Sequence, residues 1–161
     1  MNPEGIHAIM FLFSDRGTPR SVRHVNGYSG HTYKLTKADG TFHYVKFHFK
    51  SNQGFQTLTD DEAVRLAGVD PDHATRDLYD SIARGDLPSW TLMIQVMTPE
   101  QAETYKYNIF DMTMVWPHKD FPLQPVGKLT MTRNVSFGKG KVAGSLEMLL
   151  TLIARQLLRR H

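Results

Sequence analysis

The sequence predicts an α+β fold built on an antiparallel sheet. Three observations carry that prediction. Residues 31 to 50 alternate like strands on either side of an Asp39-Gly40 turn. Residues 59 to 85 repeat apolar side chains at helical spacing between capping signals. Trp90 to Met97 then alternates again.

The elements follow in order. His31-Thr32-Tyr33-Lys34-Leu35-Thr36 is rich in β-formers, and Thr41 to Lys50 is a second long run, so 31 to 50 reads as a hairpin. Val45, Phe47 and Phe49 share one face of the second strand. Phe42, Tyr44, Lys46, His48 and Lys50 share the other, and that mix of cations and aromatics suits the wall of a site. Thr59-Asp60-Asp61-Glu62 fits a capping box, with Gly68 as the stop of a short helix. Asp70-Pro71 reads as an N-cap followed by proline at the first helical position. Ala74, Leu78 and Ile82 then form a stripe that Gly85 ends. In the strand from Trp90, the residues Trp90, Leu92, Ile94 and Val96 face one way. Thr98-Pro99-Glu100-Gln101 opens another capped helix. Asn108 to Pro125, with three prolines, reads as an ordered loop, and Lys128 to Arg133 as a short strand. From Val135 the character changes. Gly138-Lys139-Gly140-Lys141 is a basic linker, and Ser145 to Arg160 is an amphipathic helix with its arginines towards the C-terminus.

Composition narrows the function classes. The chain has 161 residues, 40% hydrophobic and 22% charged, which suits one domain with a sizeable core. Lys and Arg outnumber Asp and Glu by 19 to 16, an excess that suits an anionic ligand but not a nucleic-acid binder. Cysteine is absent, which excludes disulfides and every thiolate-held metal. The start of the sequence lacks the pattern of a signal peptide, and no 18-residue apolar run predicts a membrane span. The ending Arg159-Arg160-His161 is not a peroxisomal Ser-Lys-Leu signal.

The eight histidines do not fall into a metal-binding pattern, and His43 and His48 point to opposite faces of one strand. Gly-x-Gly-x-x-Gly, Walker and Gly-x-Ser-x-Gly signatures are missing as well. The informative stretch runs from Phe11-Leu12-Phe13-Ser14-Asp15-Arg16-Gly17-Thr18-Pro19 to Arg23-His24-Val25-Asn26-Gly27-Tyr28-Ser29-Gly30-His31-Thr32. Its hydroxyl, cations, amide and aromatics could grip a phosphate and stack a flat ring. A purely structural loop is the alternative.

These residues closely resemble the small-subunit haem catalases. The resemblance continues through Tyr44-Val45-Lys46-Phe47-His48-Phe49-Lys50, Pro88-Ser89-Trp90-Thr91 and Val115-Trp116-Pro117-His118-Lys119-Asp120-Phe121-Pro122. It ends with Pro125-Val126-Gly127-Lys128-Leu129 and Arg133-Asn134. It covers about residues 4 to 134 in collinear order. It implies the second half of an antiparallel eight-stranded β-barrel with inserted helices. Residues 1–134 would be a partial catalase core, and 135–161 an unrelated linker and helix.

The resemblance also implies NADPH at the barrel surface. The residues that match that site are His7, Phe11, Ser14, Arg16, Asn26, Tyr28, Lys50, Gln95, Val115, Trp116 and His118. Arg16 and Lys50 have the charge to neutralise phosphates, Ser14 and Asn26 can hydrogen-bond phosphate or ribose, and Trp116 and Phe11 offer apolar faces.

The implied reaction is dismutation of hydrogen peroxide to water and oxygen at haem, in a homotetramer of the cytoplasm or peroxisome. The resemblance places the distal His and Asn before Met1, and the proximal Tyr in an Arg-x-x-x-Tyr string beyond Asn134. No tyrosine follows Tyr107. His31 matches a histidine behind the proximal tyrosine, a supporting role only. The isolated chain is therefore expected to lack catalytic and metal-binding residues, to be inactive, and to oligomerise or aggregate. The alternative is a haem-free remnant that binds NADPH weakly or docks on intact subunits. A third reading, a partner- or membrane-binding module, rests on the basic helix at the C-terminus alone.

Overall fold

The structure, a computed structural model, describes residues 3–134. The helix expected over Ser145 to Arg160 lies outside them. In chain order the elements are α1 (Pro3–Leu12), two single 3-10 turns (Asp15–Gly17 and Val22–His24), β1 (Gly27–Tyr28), β2 (Tyr33–Thr36), β3 (Phe42–Ser51), α2 (Asp60–Val69), α3 (His73–Ala83), β4 (Ser89–Met97), α4 (Pro99–Thr104) and β5 (Gln124–Thr130).

The described residues divide into two units, and each is described by itself. The first holds α1, both 3-10 turns, α2 and α3. The second, Asn26–Lys50 and Trp90–Leu129, holds the sheet and α4. The sheet runs β1-β3-β4-β5, with β2 also paired to β3. Among the described residues it is open, not closed into a barrel.

The expected hairpin forms. Tyr33 faces Val45 and Thr36 faces Phe42 in an antiparallel register. The turn works because Gly40 takes a φ of +86°, which a side chain would resist, while Asp39 accepts from the Thr41 amide at 2.9 Å. β1 adds to the far end of β3, with Gly27 opposite Phe49. The expected two-faced alternation is blurred, because Val45 and Lys46 are both buried. In β4, Trp90, Leu92 and Ile94 are buried and Val96 on the same face is half-buried, while Gln95 and Met97 on the other face are buried too. Beneath that second face Met97, Ile109, Trp116 and Phe121 form a core cluster, with Tyr44, Ala102 and Tyr105 packed around it. Both sides of β4 are therefore covered, which a period-two reading of one face does not reveal.

The helices differ from expectation in their ends. The Thr59–Glu62 capping box is present, but α2 continues through Gly68 to Val69, with Asp70 as its C-cap. Asp70 is not the N-cap of α3. That position is Asp72, and the Asp70 carboxylate instead pairs with Arg76 at 3.0 Å. An ion pair thus outcompetes the capping role that Asp-Pro suggests. Gly85, at φ +83°, follows the end of α3 as read. The capped helix at Thr98–Gln101 is confirmed. The last strand begins earlier than expected, at Gln124, and ends at Thr130. α1 is not expected from the sequence, in which the stretch from Phe11 to Pro19 reads as loop. At the end of α1 the chain turns back so closely that a Cβ on Gly17 would strike the Leu12 carbonyl.

Candidate functional site

In the sheet unit, β3 and β4 lie side by side and the Met112–His118 segment runs along one end of them. These elements border a cavity of about 370 Å³ whose lining includes Tyr28, Lys46, His48, Lys50, Gln95, Val115, Trp116 and His118.

Gln95 organises this wall. Its side chain is buried, and its amide nitrogen donates to the carbonyls of Trp116 at 2.9 Å and Phe121 at 2.7 Å. Both N–H groups go to groups that can only accept, so the amide oxygen must be the atom 3.0 Å from His48 Nε2. An oxygen there requires a donor, so His48 carries its proton on Nε2. Its Nδ1 is then a bare acceptor, and that atom is buried with no hydrogen-bond partner among the described residues. Burial holds the His48 imidazole below the ordinary histidine range. The Gln95 hydrogen bond acts in the opposite sense, and the charges of Lys50, His118 and Lys46 add to the depression. The His118 ring lies 5.9 Å away, centroid to centroid, and the Tyr28 ring 5.5 Å away.

Two lysines reach the cavity from one face of β3. Lys50 Nζ donates to the Tyr28 hydroxyl at 2.9 Å. Lys46 is buried, donates to the Met114 carbonyl at 2.8 Å and sits 5.3 Å from the Trp116 ring centre. Burial lowers the pKa of Lys46, and the nearest opposing influence is Asp111. No carboxylate lies within ion-pair distance of either ammonium among the described residues. The cavity therefore sets two ammonium groups against a largely apolar, partly aromatic wall, which suits an anionic, partly aromatic ligand.

Six of the eleven residues expected from the sequence, namely Tyr28, Lys50, Gln95, Val115, Trp116 and His118, meet here. Asn26 belongs to this unit but does not line the cavity, and His31 is exposed. The other four form a cluster of their own in the first unit. His7 and Phe11 meet edge to face at 4.6 Å, and the Arg16 guanidinium lies 4.9 Å from the centre of the Phe11 ring. The Ser14 hydroxyl donates to the Phe11 carbonyl at 2.8 Å and accepts from the Arg16 amide at 3.3 Å. Lys46 and His48 also line the cavity and are not among the eleven. The signal was present, because both alternate with Lys50 on the face of β3 singled out for its cations and aromatics.

Comparison with known proteins places the chain. The family model for catalase matches residues 1–137. Over 134 residues the chain is 56% identical to a catalase of Methanosarcina barkeri and 57% identical to one of Schizosaccharomyces pombe. In each case the match covers 83% of this chain and 26% of the relative. Among solved structures, a fungal catalase superposes with a TM-score of 0.78 at 52% identity, covering 83% of this chain and 26% of that one. Catalase A of Saccharomyces cerevisiae does so with the same TM-score at 47% identity, covering 83% and 28%. The fold of the described residues thus falls in the class of the solved catalases it superposes on. The chain belongs to the catalase family, and it spans about a quarter of the length of the curated relatives it matches.

Proposed function

We propose that this chain carries the NADPH site of a catalase. The observation that carries the reading is the Nδ1 of His48, unpartnered among the described residues and held as an acceptor by Gln95, beside two lysines with no carboxylate partner among those residues. A nucleotide offers what such a wall lacks: N–H or O–H donors for His48, phosphate oxygens for Lys50 and Lys46, and flat rings for the aromatic faces. The cavity is smaller than a whole dinucleotide, so it takes one half of the ligand. His7, Phe11, Ser14 and Arg16 enter the proposal through the resemblance, as does Asn26. Bound NADPH supplies reducing equivalents as hydride. The chain's own part is to hold phosphate and orient a ring.

The reaction proposed for the protein is the family's, disproportionation of two hydrogen peroxide molecules to two waters and one oxygen. Haem is the cofactor that the resemblance implies, and none of the described residues is assigned as its ligand. The resemblance assigns the axial tyrosine to an Arg-x-x-x-Tyr string that this sequence lacks, so no step is assigned to this chain through the iron. The closed eight-stranded barrel, the tetramer and a cytoplasmic or peroxisomal setting belong to the same proposal. So does the division between a core of 1–134 and a separate tail. A 55% identical relative from Pichia angusta, described as a peroxisomal catalase, supports the setting.

The test is a fluorescence titration of NADPH into the chain, repeated with Lys50→Ala. Saturable binding weakened roughly tenfold or more by the substitution supports the reading. Equal binding by both chains, or none at millimolar NADPH, removes it. Adding haemin to the same samples separates the readings, because a new Soret band with oxygen release far above free haemin contradicts the statement on haem.

A further inference from the structure

The first unit contains a second cavity, of about 240 Å³, and none of the residues carried over for the nucleotide lines it. Three segments bring side-chain nitrogens to it. Arg20 follows the Pro19–Thr57 bridge and is fixed by its own amide, which donates to the Gln56 carbonyl at 3.0 Å. Arg65 sits on α2, and His73 is the first residue of α3.

The other polar groups of the lining are already engaged. Arg23 grips Asp77 through two bonds of 2.7 and 3.0 Å and reaches Asp86 at 3.1 Å. The Ser21 hydroxyl accepts from the Arg23 amide at 3.2 Å. The Glu62 carboxylate accepts from the Thr59 amide at 3.0 Å and the Thr59 hydroxyl at 3.1 Å. Arg20 and Arg65 line the same cavity as Glu62, and both add to the lowering of its carboxyl. Yet neither is within ion-pair distance of a carboxylate among the described residues. With Arg23 and Asp77 cancelling, two positive charges face the single negative charge of Glu62.

We infer that this cavity binds a small tetrahedral oxyanion, inorganic phosphate or the phosphate group of a monoester, between Arg20, Arg65 and His73. The volume falls below the roughly 300 Å³ at which sites for larger organic ligands begin, so the occupant is compact. Guanidinium forks match oxyanion geometry. Donors arriving from three separate segments suit acceptors that point in several directions. A planar carboxylate satisfies two of them.

Inorganic phosphate titrated into the full chain, followed by 1H–15N NMR, tests this. The expected result is saturable shifts at the amides around Arg20, Arg65 and His73. Arg20→Gln and Arg65→Gln should each weaken binding by roughly fivefold or more. Both arginines are exposed, so the urea midpoint should not move. Acetate at the same concentration should bind more weakly. The inference is overturned if no saturable shift occurs at these residues, if shifts are confined to the surroundings of Lys50 and His118, if neither substitution weakens binding, or if acetate matches phosphate.

Discussion

The amide of Gln95 fixes the tautomer of His48. Its two N–H groups are spent on the Trp116 and Phe121 carbonyls, so its oxygen receives the His48 Nε2 proton at 3.0 Å. One buried side chain thus ties β4 to the loop beside the cavity and leaves His48 Nδ1 as an acceptor.

Removing that amide should cost stability. Gln95→Leu leaves two carbonyls and one imidazole N–H without partners, at about 1–3 kcal/mol for each group that stays dry. The expected loss is on the order of 3 kcal/mol, with water re-satisfying part of the set. Urea unfolding followed by tryptophan fluorescence checks it. A midpoint within error of wild type would show that water replaces Gln95 without cost.

Acid should weaken the first unit through Asp77. The Arg23 hydrogen bond pulls its carboxyl from 3.8 to about 2. A carboxyl whose folded pKa is depressed contributes stability above its unfolded value, and that contribution disappears as pH falls through the folded one. The window is therefore between pH 3.8 and about 2. The contribution is about 1–2 kcal/mol after allowance for partial exposure. In Asp77→Asn this part of the acid-induced loss should be absent. Melting temperatures across that range check the prediction, and parallel curves for both chains would contradict it.

His48 has the same sign of linkage with the charges reversed. Burial depresses its folded pKa. The folded state therefore takes up its proton less readily than the unfolded chain, and stability attributed to neutral His48 is lost as pH falls below roughly 6.5. His48→Gln should lose less stability than wild type between pH 7 and pH 5. A titration of His48 Hε1 by NMR gives the independent check, with a midpoint below that of an exposed histidine expected.

Thr59→Ala tests the helix assignments. The capping box satisfies end amides of α2, so its loss should lower stability by about 1 kcal/mol, visible in the urea midpoint. No change would mean that α2 depends on packing alone.

Much of this was legible in the sequence because it is local. The 33–45 hairpin register follows from alternation around Asp39-Gly40, and the Thr59 and Thr98 caps follow from residues three apart. What was not legible depends on residues distant in the chain. Asp70 pairs with Arg76 and so leaves the N-cap of α3 to Asp72. Lys46 is buried because the Met114 carbonyl and Trp116 ring come to it from 68 and 70 positions away. His48 becomes a site residue only through Gln95, 47 positions on, whose amide has no sequence signal that sets it apart from a surface glutamine. The family resemblance supplied Gln95, Trp116 and His118, and the geometry added Lys46 and His48.

The central claim is that this cavity receives a nucleotide at His48, and the 15N resonances of labelled histidine test it most directly. Without ligand, His48 should show a protonated Nε2 and a bare Nδ1. Adding NADPH should move the Nδ1 resonance saturably towards that of a hydrogen-bonded nitrogen and leave Nε2 in place, while Lys50→Ala shifts the midpoint to higher concentration. An Nδ1 resonance that stays fixed at millimolar NADPH, or a free chain in which Nδ1 already carries the proton, would contradict the account.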